Sequence, residues 1–194
     1  AITSNANLGP TSGTIPSLTL DGGTLSLGTN GSNYTIANPI SLTNNSTITN
    51  VGTDTVSITG SIAGGNKTLT IAGTGAITFA TGVISAASIV QSNSNTVTFS
   101  GHNTYTGSTT VNAGTLAAGV STSGTSYGAF GVGSNITVNG GTLALGSYNE
   151  SVGTVTIGSS GGSITGSGTL TATTSYTFNN TSSATISAIL AGTG

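Results

Sequence analysis

Apolar and polar side chains alternate along this chain in short runs, with Gly, Asn and Ser between them. Leu18-Thr19-Leu20, Leu25-Ser26-Leu27, Tyr34-Thr35-Ile36, Ile40-Ser41-Leu42, Val56-Ser57-Ile58, Leu69-Thr70-Ile71 and Ile77-Thr78-Phe79 set the pattern in the first half. Val97-Thr98-Phe99, Ile136-Thr137-Val138, Leu143-Ala144-Leu145, Val155-Thr156-Ile157 and Tyr176-Thr177-Phe178 carry it through the second. Each run reads apolar, small or polar, apolar, the period of two that a strand with one buried face requires. The runs predict strands of about three to six residues, with Leu, Ile, Val and Phe inward and Thr and Ser outward. Gly, Asn and Ser break them because corners need residues that tolerate positive φ.

Phase separates two ways of joining these strands. The step from Val138 to Leu143 is odd, so one continuous strand would send the two side chains to opposite faces. A corner at Asn139-Gly140-Gly141 lets both point inward and makes two strands joined by a bend. The rival is a two-residue hairpin turn at Asn139-Gly140, which would lead to an antiparallel sandwich. Spacing favours the corner. Thr115-Leu116, Thr142-Leu143 and Thr169-Leu170 follow one another at an interval of 27, within AGTLAAG, GGTLALG and SGTLTAT, and a related GGTLSLG spans Gly22 to Gly28. A fixed interval of this size predicts a stacked repeat, each unit one turn of a solenoid. With coils of roughly 20 to 27 residues the chain makes about seven to nine. At the spacing of neighbouring strands that is a rod about 35–45 Å long. No linker is visible, so residues 1–194 read as one domain. Val120–Gly131 (VSTSGTSYGAFG) lacks alternation and reads as a loop leaving one coil.

Composition agrees and removes whole classes of function. Only 2% of the residues are charged, and Lys67 is the sole basic side chain against Asp21, Asp54 and Glu150. The wealth of Thr, Val and Ile argues against disorder. Thr, Ser, Asn and Gly are middling to poor helix formers, and the near absence of Lys, Arg, Glu and Gln argues against helix as well. The class is all-β. One Lys and no Arg leave no surface for neutralising phosphates, so no nucleic-acid partner is expected. The same shortage removes the polybasic route to anionic membranes, and no apolar run approaches the roughly 20 residues that span a bilayer. Zero Cys excludes disulfides, thiolate metal sites and Cys catalysis. No signal peptide is visible, and the start AITSNANLGP is compatible with a mature N-terminus.

The run from Thr96 to Gly107 (TVTFSGHNTYTG) and the run from Thr109 to Leu116 (TTVNAGTL) resemble the autotransporter-associated β-strand repeat, also called the passenger-associated transport repeat. GVGSNITVNGGTLALGSYNESVGTVTI and GSITGSGTLTA continue in that family's order, and 37–64 is similar but looser. The resemblance implies a right-handed parallel β-helix in a secreted or surface-displayed bacterial protein. Family members usually carry a C-terminal outer-membrane barrel. This chain has none and ends on Ala191-Gly192-Thr193-Gly194, where the pattern would begin another coil, so a fragment or one unit of a longer polymer is expected.

Candidate chemistry is thin. His102 is the only His, and the three acids are scattered, whereas β-helix polysaccharide lyases and hydrolases need clustered carboxylates or a Lys/Arg base. No catalytic, cofactor or metal residues are assigned. His102 reads as an exposed turn residue, Asp21 as a turn former and Lys67 as a solvent-facing lysine. Tyr34, Tyr105, Tyr127, Tyr148 and Tyr176 could offer faces for stacking on carbohydrate, but several sit at strand positions and read as half-buried core. Tyr127 and Phe130, in the 120–131 loop, are the exposed candidates for contact with a ligand or partner. Thr-x-Thr strings such as Thr47-Ile48-Thr49 and Thr154-Val155-Thr156 would form a flat array of the ice-binding kind if they stacked, but they do not recur at one spacing. The expected function is a non-enzymatic extracellular rod of a surface fibre or passenger stalk that associates end to end. The alternative is an adhesin that binds a host surface or glycan through its loops.

Overall fold

The computed structural model describes residues 15–28, 33–85 and 88–192. The opening AITSNANLGP and residues 193–194 lie outside them, as does the side chain of Tyr34. All described regular structure is strand, and every strand pairing is parallel. The strands form sheets of nine, eight and four, stacked as a β-solenoid of about eight turns. The all-β solenoid expectation therefore holds, and the hairpin alternative does not. Ile136–Val138 lies in the nine-stranded sheet and Thr142–Gly146 in the eight-stranded one. Val138 and Leu143 are both fully buried across the Asn139-Gly140-Gly141 corner.

Like stacks on like because the coils are in register. Leu18, Ile40, Ile62 and Ile84 follow one another at steps of 22 in the four-stranded sheet. Val56, Ile77, Val97, Leu116, Leu143, Ile164 and Ile186 form one inward column of the eight-stranded sheet. Outward, Thr24, Thr47 and Thr70 lead through Val90 to Thr110, Thr137, Thr156 and Thr177 in one ladder on the nine-stranded sheet. Uneven spacing in sequence thus does not prevent alignment in space. The steps along that ladder differ because the corners differ in length.

The interval of 27 needs correction on this point. Thr115-Leu116 and Thr142-Leu143 are true neighbours in the eight-stranded sheet. Leu143, however, pairs next with Ile164, a step of 21, and Leu170 belongs to the nine-stranded sheet. The second 27 joins strands on different sides of the rod. The first is a single long coil, lengthened by the excursion between Thr115–Ala118 and Ile136–Val138.

Phe79 and Phe99 sit one above the other in this core, rings edge to face with centroids 5.1 Å apart. Ala118 takes the next place in the column, so no large neighbour is available to refill the space. Phe99→Ala is expected to cost about 3–5 kcal/mol through the cavity it leaves. A urea titration of the variant against the parent chain measures it, and a loss below about 1 kcal/mol would contradict this packing.

Candidate functional site

The third side of the rod changes character halfway along. Its four-stranded sheet ends at Ile84–Ser85. Strand resumes at Glu150–Val152, the part of Glu150–Ile157 that precedes the register shift in this long strand of the nine-stranded sheet; it pairs with Leu170–Ala172, and this in turn with Leu190–Gly192. Between the two, irregular backbone must be held by side chains, since buried N–H and C=O groups require partners. Asn103 does the first part. Its Oδ1 accepts the Ile84 N–H at 2.9 Å, its Nδ2 donates to the Ala129 carbonyl at 2.7 Å, and its backbone pairs both ways with Gly128. Glu150 does the second. Its Oε2 accepts Thr122 Oγ1 at 3.0 Å and the Ala129 N–H at 3.1 Å.

Glu150 stands in the inward column that Leu170 continues, only 2% exposed. Its Oε1 is buried with no hydrogen-bond partner among the described residues. Burial pushes the carboxyl up to about 7, against the opposing bonds from Thr122 and from the Phe130 and Ala129 amides. Tyr105 is fully buried beside this region, its hydroxyl 2.8 Å from Thr109 Oγ1. Burial raises the phenol, and the Glu150 charge adds to that. Thr109 is itself an inward residue, 3.4 Å from Ser134 Oγ, which donates to the Gly107 carbonyl.

The two contact candidates separate here. Phe130 is fully buried, so the expectation that it is exposed is overturned. With no strand on the third side at this level, the loop turns its aromatic inward and fills the core itself. Gly131 permits that turn: its φ is +69°, and a Cβ there would lie 2.2 Å from the Tyr105 carbonyl oxygen. Tyr127 remains half-exposed, stacked on the exposed His102 ring at 3.9 Å and 10°. The stack stands at the rim of a cleft of about 220 Å³ lined by Ala80, Thr81, Val83, Ser100, Gly101 and His102. Of the other tyrosines, Tyr105 is full core and Tyr148 is exposed at 37%. Asp21 accepts from Thr43 Oγ1 and Asn44 Nδ2 of the following coil, bonds that hold its carboxyl below the usual range.

Asn103 and Glu150 are what the sequence reading missed as a pair. Glu150 carried one available signal, a lone acid at the head of the alternating run ESVGTVTI in a chain almost without charge. Asn103 carried none, since Asn is common at every corner.

The arrangement is that of a β-solenoid scaffold whose most elaborate feature is a stitched excursion. The described acids and His102 are not brought together. Residues 89–118 match the model of the Passenger-associated-transport-repeat family, in agreement with the resemblance carried by the TVTFSGHNTYTG and TTVNAGTL runs. On the structure this repeat runs from Ile89 in the nine-stranded sheet, past Asn103, to Ala118 in the eight-stranded sheet. Such a repeat points to an autotransporter passenger, and with it to an extracellular or surface-exposed location. No curated protein and no solved structure matches the chain.

Proposed function

We propose that this chain is a non-enzymatic structural module, a β-solenoid rod of a bacterial surface fibre or passenger stalk that associates end to end. One observation carries the reading. In-register parallel ladders run through the described rod as sheets of nine and eight strands, the arrangement of a structural stalk to which further coils can add without a change of geometry. Its core is built from continuous columns, in which Phe178 follows the fully buried Ile157 and Ile186 the fully buried Ile164. Near absence of charge removes the repulsion that keeps most proteins apart. Stacking on a second copy would continue the nine- and eight-stranded sheets across the junction.

Negative-stain microscopy and sedimentation over a concentration series test this. The parent chain should form assemblies of uniform width, and Phe178→Asp with Ile186→Asp should reduce them to single rods. Single rods of the parent chain at every concentration would overturn the reading. A second reading, adhesion to a host surface or glycan, draws on the Tyr127–His102 stack beside its cleft. Replacing the 120–131 loop should then abolish binding to glycan arrays and leave assembly intact.

A further inference from the structure

The excursion 119–135 is attached to the rod by two legs, and both reach one atom. On the first leg, Thr122 donates its hydroxyl to Glu150 Oε2 and accepts the Ser151 N–H on the same oxygen, while its N–H bonds the Asn149 carbonyl. On the second leg, the Ala129 N–H reaches the same Glu150 Oε2. Gly128 lies against this junction: a Cβ there would stand 2.5 Å from Thr122 Oγ1 and 2.9 Å from Glu150 Oε2. The backbone therefore crosses directly over the carboxyl group. Beneath it lie Phe130, Ala129 and Tyr105, all fully buried.

The surroundings offer this carboxyl no positive charge. Residues 119–135 contain no charged side chain, and in the flanking strands Glu150–Ile157 and Thr169–Phe178 the only one is Glu150 itself. From the preceding coil the titratable group that feels it is the Tyr105 phenol, an acid as well. His102 is exposed and turned onto Tyr127. Lys67, the only basic side chain, precedes Thr68–Gly73, four strands away along the nine-stranded sheet and so about 19 Å. An ionised Glu150 would be a buried anion bonded by the Thr122 hydroxyl and the Ala129 and Phe130 amides but facing no positive charge. Burying a charge with no counter-charge costs more than burying the neutral acid, even where neutral donors bond it.

We propose that the excursion 119–135 is a proton-controlled latch, held closed by protonated Glu150 and loosened on both legs when Glu150 ionises. Opening uncovers Phe130, Ala129 and Tyr105, an apolar surface that the closed rod hides. The raised carboxyl places the change near neutral pH. The sign follows from linkage. A group whose closed-state pKa lies above its open value binds its proton more tightly when closed. Closure is therefore fully supported below the ordinary carboxyl range near 4.5, and that support is lost as pH rises toward about 7.

Hydrogen exchange of the full chain, followed by mass spectrometry and corrected for the intrinsic pH dependence, reads the latch directly. Between pH 5.5 and 8.5 the opening of 119–135 should rise roughly thirtyfold, the ratio for a carboxyl at about 7 closed and 4.5 open. Peptides from Thr68–Gly73 should stay unchanged. Glu150→Gln keeps the shape without the charge and should remove the pH dependence. A second measurement needs no variant: Glu150 is the only glutamate, so carboxyl-¹³C-Glu labelling yields a single resonance to titrate. A midpoint near 7 supports the latch, and a midpoint in the ordinary carboxyl range overturns it. Protection of 119–135 that is flat with pH, or that falls equally in Glu150→Gln, overturns it too.

Discussion

Gly82→Ala should abolish cooperative folding of the coils around it, or lower stability by at least ~4 kcal/mol, the range reached only when backbone is displaced. Gly60, Gly82 and Gly101 form a column at the corner between the eight-stranded sheet and the third side. A Cβ on Gly60 would lie 2.0 Å from the Asn38 carbonyl oxygen, one on Gly82 2.1 Å from the Gly60 oxygen, and one on Gly101 2.3 Å from the Gly82 oxygen. Each obstacle is backbone, so no rotamer change relieves it. Moving it means opening the separation between coils, which the flanking parallel ladders hold at about 4.8 Å. Gly65→Ala supplies the contrast. Gly65 has φ +51° but open space around its Cβ, and its replacement should cost only about 1 kcal/mol of left-handed strain. Urea unfolding of both variants measures the difference. Equal stabilities would mean that the close approach of the coils is not what demands glycine at position 82.

Asn103→Ala carries the second large effect, about 3–5 kcal/mol. The side chain is fully buried, and its loss strands the Ile84 N–H and the Ala129 carbonyl together. Each orphaned buried group costs roughly 1–3 kcal/mol, and the cavity adds to that. The damage should also be local. Solenoid coils contact mainly their neighbours, so exchange protection should fall in 119–135 and Ile84–Ser85 while Ser46–Asn50 keeps its own. Uniform loss along the rod, or a cost below about 1 kcal/mol, would show that Asn103 is not the stitch between the coils it joins. Because Asn103 and Glu150 hold the same excursion, Asn103→Ala should also weaken the pH dependence that ionisation of Glu150 brings.

Much of this architecture is legible from residue order. The alternation in Val97-Thr98-Phe99 or Val155-Thr156-Ile157 names the buried side of each strand, because facing depends only on the residue's own place in a two-residue period. The Asn139-Gly140-Gly141 corner follows from parity alone. The residue types also settle that the columns are apolar inside and hydroxylated outside, as the Thr24-to-Thr177 ladder bears out.

Assigning strands to sides of the rod was another matter. Thr169-Leu170 carries the same local signature as Thr142-Leu143 yet lies in a different sheet. Coil length is set by corners, and a corner can gain or lose residues without changing the alternation on either side of it. Phe130 went wrong for a related reason. A segment without periodicity offers no local rule for what faces inward, and here the missing strand of the third side draws the ring into the core. Glu150 shows the limit most plainly: its partners Thr122 and Ala129 are more than twenty residues away.

The sequence by itself determined the strand class, the inward and outward faces, the corner residues and the lack of charge that suits a stacked repeat. Only the tertiary structure decided which strands share a sheet, how Asn103 and Glu150 carry the third side past the end of its four-stranded sheet, and which aromatic of the loop is buried. The division has one cause. Facing is a property of neighbours along the chain, whereas register, closure and the environment of a buried carboxyl are created by residues a whole coil away.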